Sequence, residues 1–327
     1  MRIERLLLVL AMVASLAFAV AACGDDDEEG NGGGAAAGED ASSEELSGEI
    51  RIDGSSTVFP FAEAAAELFN EEYPDVRMTV GQSGTGGGFE KFCAGETDIS
   101  DASRPIDEEE EVPICEENGI EFDQVSVAND GIAVVTNKEL AIECMTTDQL
   151  KALWEPNSNV KSYSDIDPSF PDTPVSLFGP GTDSGTFDFF TEVINGEGGA
   201  SREDYEASED DNQLVTGVSG TEGALGYFGF SYYEQNADKL GLVQVDGGDG
   251  CVTPSTEAIQ DGSYTPLGRP IFMYPSASGL EKPEVQAFME FVVTQNQAIA
   301  EAAQIVPLTD EQATESKSTV DALAGGS

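Results

Sequence analysis

Three short turns constrain this chain more than any other feature. They are Gly54-Ser55-Ser56-Thr57, Ser83-Gly84-Thr85-Gly86-Gly87-Gly88 and Gly181-Thr182-Asp183-Ser184-Gly185-Thr186. Each sits between an apolar strand-like segment and a helical pattern. Before the first, Ile50 and Ile52 share one face of a strand over Glu49–Asp53. After it Pro60 opens a helix, where its missing N–H costs nothing. Phe61, Ala64, Ala65, Leu68 and Phe69 form that helix's apolar stripe, and Pro74 stops it. Before the second, Val76, Met78 and Val80 alternate, and Gly81–Gly88 leads into a helix expected from Phe89. Around the third, a strand is expected over Val175–Phe178 and a helix over Ser184–Ile194. Further strands are expected over Ile132–Thr136 and Ala224–Phe230, and helices over Thr147–Trp154 and Lys282–Gln295. The last turns Val285, Phe288, Met289, Val292 and Val293 inward. Strand, tight turn and helix in repetition predict an α/β protein with a mainly parallel sheet, and 327 residues are enough for two domains.

The turns share a chemistry. Each offers hydroxyls and free backbone N–H groups just before a helix, where the N–H donors are unsatisfied and the potential is positive. Aimed at one point, they make an anion site. A single such turn is explained by helix capping alone, since Ser and Thr are favoured N-caps. Three together indicate a ligand, at the crevice where α/β sheets place theirs.

A fourth segment adds charge. Thr97-Asp98-Ile99-Ser100-Asp101-Ala102-Ser103-Arg104-Pro105 places Arg104, one of 14 basic residues, three positions after Asp101. A guanidinium can grip an oxyanion with two parallel hydrogen bonds. An ionised carboxylate only accepts hydrogen bonds, so Asp101 would welcome an oxyanion that still carries a proton and repel one that does not. The plainer reading is an Asp101–Arg104 surface ion pair, worth little.

Composition removes other classes. The chain carries 63 Asp and Glu against 14 Lys and Arg, a net charge of −49, which disfavours nucleic acid and anionic lipid surfaces. It contains no histidine, so Ser-His, Cys-His and His-metal chemistry are excluded. The nucleotide loops also fail. Gly81 to Gly86 has phosphate-loop glycine spacing, but Gly87 stands where a lysine is required. Ser184 lies in no nucleophile elbow. Neither a cofactor nor a metal is expected.

The N-terminus reads as a targeting segment. Arg2 and Arg5 precede an apolar run of 15 residues from Leu6 to Val20, short for a membrane span. Val20-Ala21-Ala22-Cys23 resembles a bacterial lipoprotein processing site. Residues 1–22 would then be the signal peptide. Residues 23–48 would comprise a lipidated Cys23 and an acidic, glycine-rich tether. The expected location is outside the cytoplasmic membrane, anchored by lipid alone. Cys93, Cys115, Cys144 and Cys251 remain, and four exported cysteines indicate two disulfides. Three pairings can be drawn. Cys93–Cys115 with Cys144–Cys251 is favoured, one short-range and the other bracketing a lobe.

Taken together, Asp53-Gly-Ser-Ser-Thr-Val-Phe-Pro60, Ser83–Gly88, Asp98–Ile106, Gly179-Pro-Gly-Thr-Asp-Ser-Gly-Thr-Phe187 and Gly223-Ala-Leu-Gly-Tyr-Phe-Gly229 carry a resemblance. Over roughly Gly48–Tyr274 the chain resembles the phosphate-binding lipoproteins and periplasmic proteins that feed the phosphate-specific ABC importer. The resemblance implies a two-lobed periplasmic-binding-protein-like fold of type II, closing on inorganic phosphate. Lobe 1 would span 49–130 plus 253–327 and lobe 2 would span 131–252. Carried over by position, Ser56, Thr57 and the N–H of Val58 would bind from the first turn. Ser83 or Thr85 would serve from the second, with the glycines favouring Thr85. Asp101 would accept the proton of hydrogen phosphate, and Ser184, Gly185 and Thr186 would cap it from the other lobe. Many members carry an arginine four residues before that Ser-Gly-Thr. Here Pro180 stands there, so Arg104 is expected to supply the guanidinium. The implied protein is a monomer that partners phosphate and the importer's permease. Competing readings are a binder of sulfate, molybdate or arsenate, a sensor or adhesin on the same fold, and a phosphatase using Asp101 with Ser184.

Overall fold

The computed structural model describes residues 46–325, so the signal segment, Cys23 and most of the tether lie outside the described residues. The first half follows the turns. It runs β1 (Gly48–Gly54), α1 (Phe59–Glu72), β2 (Val76–Gly81), α2 (Gly84–Cys93), β3 (Ile99–Ala102) and α3 (Val112–Glu117). A long strand, β4 (Val125–Asn137), then leaves it. The second half opens with β5 (Cys144–Thr146), α4 (Thr147–Trp154), β6 (Ser176–Gly179) and α5 (Gly185–Phe190). It continues through β7 (Glu206–Ala207), α6 (Asp211–Gly220), β8 (Ala224–Gly229) and α7 (Phe230–Asn236). Three short strands, β9 (Leu240–Leu242), β10 (Gln244–Asp246) and β11 (Cys251–Val252), precede α8 (Thr256–Gln260). The chain returns on β12 (Gly268–Pro275) and ends in α9 (Ala277–Leu280), α10 (Pro283–Thr294), α11 (Asn296–Ala302) and α12 (Asp310–Gly325).

The large sheet has the order β2-β1-β3-β12-β4-β8-β6-β7, with β9 also paired to β4. It is mixed rather than mainly parallel. The pairs joined through helices are parallel, β1 with β2 and β3, and β6 with β7 and β8. β12 and β4 run antiparallel to each other and to their outer neighbours β3 and β8. A strand–helix–strand crossover keeps direction. β4 and β12 instead carry the chain out of the first half and back, so they must run opposite ways.

Two main cores make the molecule two-lobed. On β4, Val125, Val127 and Ala128 pack with Ile50, Phe61 and Phe69 in the first. From Ile132 to Val135 the same strand packs with Trp154, Phe190 and Tyr227 in the second. β12 mirrors this, with Leu267 just before it in the second core and Ile271 and Met273 in the first. Ala258, Ile259 and Tyr264 also pack in the second core, so the return crossing falls near Gly268, later than the expected 253.

Local chemistry explains most elements. α4 starts at a complete capping box, in which Thr146 Oγ1 accepts from Gln149 N at 3.1 Å and Thr146 N donates to Gln149 Oε1 at 2.9 Å. The five inward positions expected on α10 are all buried. α2 departs from expectation by starting at Gly84 rather than Phe89. A Cβ on Gly88 would fall 2.5 Å from Gly54 Cα and 3.0 Å from Asp53 O, so only glycine lets the helix lie against β1. That contact outweighs the poor helix propensity of glycine. The α5 helix ends at Phe190 and widens into a π-helical turn over Thr191–Asn195.

Both favoured disulfides are present. Cys93–Cys115 closes a small core with Phe89, Phe92 and Tyr274, and Cys144–Cys251 ties together the strands of the separate β11-β10-β5 sheet. Their loops span 22 and 107 residues. On the loop-entropy relation, removing the first by paired Cys→Ser changes should cost about 3 kcal/mol and removing the second about 5 kcal/mol. Denaturant unfolding of the two paired variants checks the order.

Candidate functional site

The site is built where α1 and α5 meet end to end. Ser55 N donates to Asp101 O at 2.9 Å, which fixes the first turn to the end of β3. Ser55 Oγ accepts from Thr57 N at 3.2 Å. Across the lobes, Ser184 caps α5, its Oγ accepting from Thr186 N at 3.2 Å. The two helix starts touch. Thr57 Oγ1 donates to Gly185 O at 3.3 Å, and Ser56 Oγ donates to Asp188 Oδ2 at 3.0 Å. A Cβ on Gly185 would lie 2.5 Å from Thr57 N and 2.6 Å from Ser56 C, so this approach requires glycine.

Two cavities flank the contact, and Ser56 and Thr57 line both. The larger, ≈410 Å³, also takes Ser184, Gly185 and Thr186. The smaller, ≈260 Å³, takes Thr85, Arg104 and a residue that sequence reasoning missed, Arg269. Thr85 Oγ1 lies 3.0 Å from Ser103 Oγ and accepts from Ser103 N at 3.3 Å. Ser83 lines neither cavity. Its N–H donates to Asp53 Oδ1 at 3.2 Å and its hydroxyl bonds the same oxygen. Val58 is fully buried, and its N–H donates to Ser55 O at 3.2 Å.

Asp101 is fully buried, and neither of its carboxyl oxygens has a hydrogen-bond partner. Burial pushes its carboxyl well above the ordinary value, and the charge of Asp53 adds to the push. Arg104 is not paired with Asp101. Its Nη1 and Nη2 each donate to Glu111 at 2.8 Å, and its side chain is 39% exposed. The fork expected for an oxyanion is therefore already filled.

The missed residue is more enclosed. Arg269 stands on β12 directly opposite Asp130 on β4. Its guanidinium lies 3.4 Å over the Phe189 ring, and Nη2 donates to Thr57 Oγ1 at 3.0 Å. Burial pulls it down to about 10 while Asp130 and Glu192 pull it up, so it stays charged at neutral pH. No local motif announces it. The signal open to a reader was scarcity, because each of 14 basic residues in so acidic a chain merits a test. Among the described residues, no group of acidic side chains and cysteines is arranged to hold a metal, and no helix is long and apolar enough to cross a membrane.

A cleft between two α/β lobes, bordered by helix starts and hydroxyls, is the architecture of a solute-binding protein. The PBP superfamily domain model matches residues 37–296. Protein SphX of Synechocystis sp. is 42% identical over 271 residues, 82% of this chain and 80% of that protein. The phosphate-binding protein PstS of Staphylococcus saprophyticus is 38% identical over 288 residues, 87% of this chain and 88% of that one. A solved structure of a possible phosphate binding protein from Planctomyces limnophilus is 43% identical, with a TM-score of 0.80, covering 85% of this chain and 99% of that one. The chain belongs to the PBP superfamily and, within it, to the family of the phosphate-binding proteins PstS.

Asp101 makes stability depend on pH. In the ligand-free protein its folded-state value is raised above the ordinary 3.8, so the folded chain holds the proton more tightly than the unfolded one. Its contribution is fully present below 3.8 and is lost as pH rises through the raised value. Asp101→Asn should remove that loss and stabilise the ligand-free protein at neutral pH by about 1–3 kcal/mol. Thermal unfolding from pH 4 to 8 checks it, the variant showing the flatter profile.

Proposed function

We propose that this protein captures inorganic phosphate between its lobes, outside the cytoplasmic membrane, and delivers it to the permease of an ABC importer. It acts as a monomer tethered by lipid on Cys23, takes no cofactor, and catalyses no reaction. The lobes are 46–131 with 268–325, and 132–267, following the two cores.

The observation that carries the reading is Asp101, a fully buried carboxyl with both oxygens unpartnered, next to a turn of hydroxyls. A group so placed is costly unless something supplies hydrogen bonds. Hydrogen phosphate does so through its P–OH. Ser56 and Thr57, released from Asp188 and Gly185 O, donate with Thr85 to the other oxygens from the first lobe. Ser184, Gly185 and Thr186 donate from the second, with the backbone N–H groups of the helix start. Arg104 lines the smaller cavity but has its fork engaged by Glu111 and stays outside this set. Val58 and Ser83 take part only if Ser55 and Asp53 release them. The PstS and Planctomyces proteins are named for phosphate, which supports the same ligand.

Specificity follows from protons. The donors that surround a bound anion, together with the P–OH itself, favour an ionised Asp101 in the complex. Sulfate carries no proton at neutral pH and would meet that carboxylate lone pair to lone pair in a dry site. Titration calorimetry of the full-length protein in detergent should show micromolar or tighter binding of phosphate and no heat with sulfate. Sulfate binding without phosphate binding would remove the role given to Asp101. Gly185→Ala should weaken phosphate about tenfold or more, because the added methyl meets the Thr57 backbone when the lobes close. An unchanged Kd would show that this approach is not part of the bound state.

A further inference from the structure

An oxyanion enclosed by hydroxyls still lacks a guanidinium fork, since both Nη atoms of Arg104 are engaged by Glu111. Arg269 is far less committed. It makes one hydrogen bond, from Nη2 to Thr57 Oγ1, and its buried Nε has no partner. Three carboxylates act on it: Asp130 and Glu192, each at 3.8 Å and beyond hydrogen bonding, and Asp188, which lines the same cavity. Its side chain is only 14% exposed and faces the smaller cavity with Ser56, Thr57 and Thr85. The Phe189 ring fixes the plane of the guanidinium from one side. Its contacts also span the molecule. Thr57 packs with the first lobe, Phe189 and Glu192 belong to the second, and Arg269 itself lies on the strands that cross between them.

We propose that Arg269, rather than Arg104, is the guanidinium that grips the captured oxyanion, and that its place on the crossing strands makes it the latch that couples capture to lobe closure. The inference rests on the phosphate reading above. A buried cation with free donors is held at a loss until an anion reaches it. The anion needs Thr57 from one lobe and the α5 start from the other, and Arg269 reaches both sides only when they are together. A ligand that binds the closed arrangement better shifts the population towards it. The stacked Phe189 and the ion-pair partner Glu192 leave Arg269 when the second lobe swings away. The closed form therefore gains both the anion and these contacts at once.

The test compares full-length wild type with Arg269→Ala, Arg269→Lys and Arg104→Ala. Phosphate affinity is read by calorimetry, closure by the phosphate-induced fall in radius of gyration in X-ray scattering, and folding by thermal unfolding. Arg104→Ala should stay within about threefold of wild type, as expected for an exposed pair. Arg269→Ala should weaken phosphate by about 100-fold or more, the range for removing one partner of a buried charged contact. Arg269→Lys keeps the charge and guards against a variant that fails to fold. It should fall between the two, because an ammonium cannot present a planar fork. Closure should persist in Arg104→Ala and be lost in Arg269→Ala at equal phosphate. If both Arg269 variants bind like wild type while Arg104→Ala loses phosphate, the inference is overturned. A folded Arg269→Ala that lowers the Tm but leaves the Kd unchanged overturns it equally, since the residue is then a structural support. If wild type binds no phosphate, the phosphate reading itself falls and takes this inference with it.

Discussion

The antiparallel crossing of β4 and β12 is the constraint on which the rest of the molecule hangs. Each strand leaves one core and enters the other over three or four residues, with Gly268 opposite Gly131, Arg269 opposite Asp130 and Pro270 opposite Asn129. A Cβ on Gly131 would lie 2.3 Å from Ile259 Cδ1, so a side chain there would have to displace Ile259. A register shift between Ile271 and Phe272 follows directly, and such irregularities bend and twist a ladder. The C-terminal segment holds the crossing from outside. Asn129 N donates to Val306 O at 2.8 Å, Val306 N returns to Asn129 O at 3.1 Å, and Asn129 Nδ2 donates to Pro307 O at 3.1 Å. The position of α5 against α1 is therefore set by a short stretch of sheet rather than by a broad lobe interface.

That geometry concentrates unsatisfied chemistry at one place. Asp101 lies in β3 next to the turn that starts α1, and the hydrogen bond from Ser55 N to its carbonyl keeps carboxyl and hydroxyls in fixed relation. Arg269 comes from the crossing itself. A buried acid without partners and a buried base with one hydrogen bond both cost stability when taken alone. They are tolerable in a protein whose bound state supplies what they lack. Such strain against the ligand-free fold is expected of a functional site.

How much of this could be read in the sequence depends on how local its cause is. The α4 helix was legible to the residue because Thr146 and Gln149 form a capping box at its start. The α10 helix was legible through the spacing of its five inward residues. The start of α2 was not, because Gly84 to Gly88 argue against helix by propensity and only the approach of Gly54 to Gly88 favours it. β3 is four residues with Ser100 and Asp101 at its centre, so it offers no apolar alternation, yet it is buried throughout. The glycines favour Thr85 over Ser83, but the contact that holds Ser83 is not local. Asp53, 30 residues earlier in the chain, engages Ser83. Arg269 acts through strand register and through contacts with Thr57 and Phe189, and no window of sequence contains that information.

A chain of net charge −49 building an anion site is a matter of range. Exposed carboxylates are screened beyond roughly 8–10 Å at physiological salt, while donors in a low-dielectric cleft act at hydrogen-bond distance with little screening. Several of the nearby acids are spoken for. Asp188 accepts from Ser56, Glu111 is matched to Arg104, and Asp53 is paired with Lys91 at 2.6 Å and with Ser83. Asp101 is held towards its neutral form by burial. What an arriving anion meets is then a local field of N–H and O–H donors and one enclosed guanidinium. The acidity of the surface governs how fast the anion arrives, through long-range repulsion that salt relieves. It has little say in how tightly the closed cleft holds.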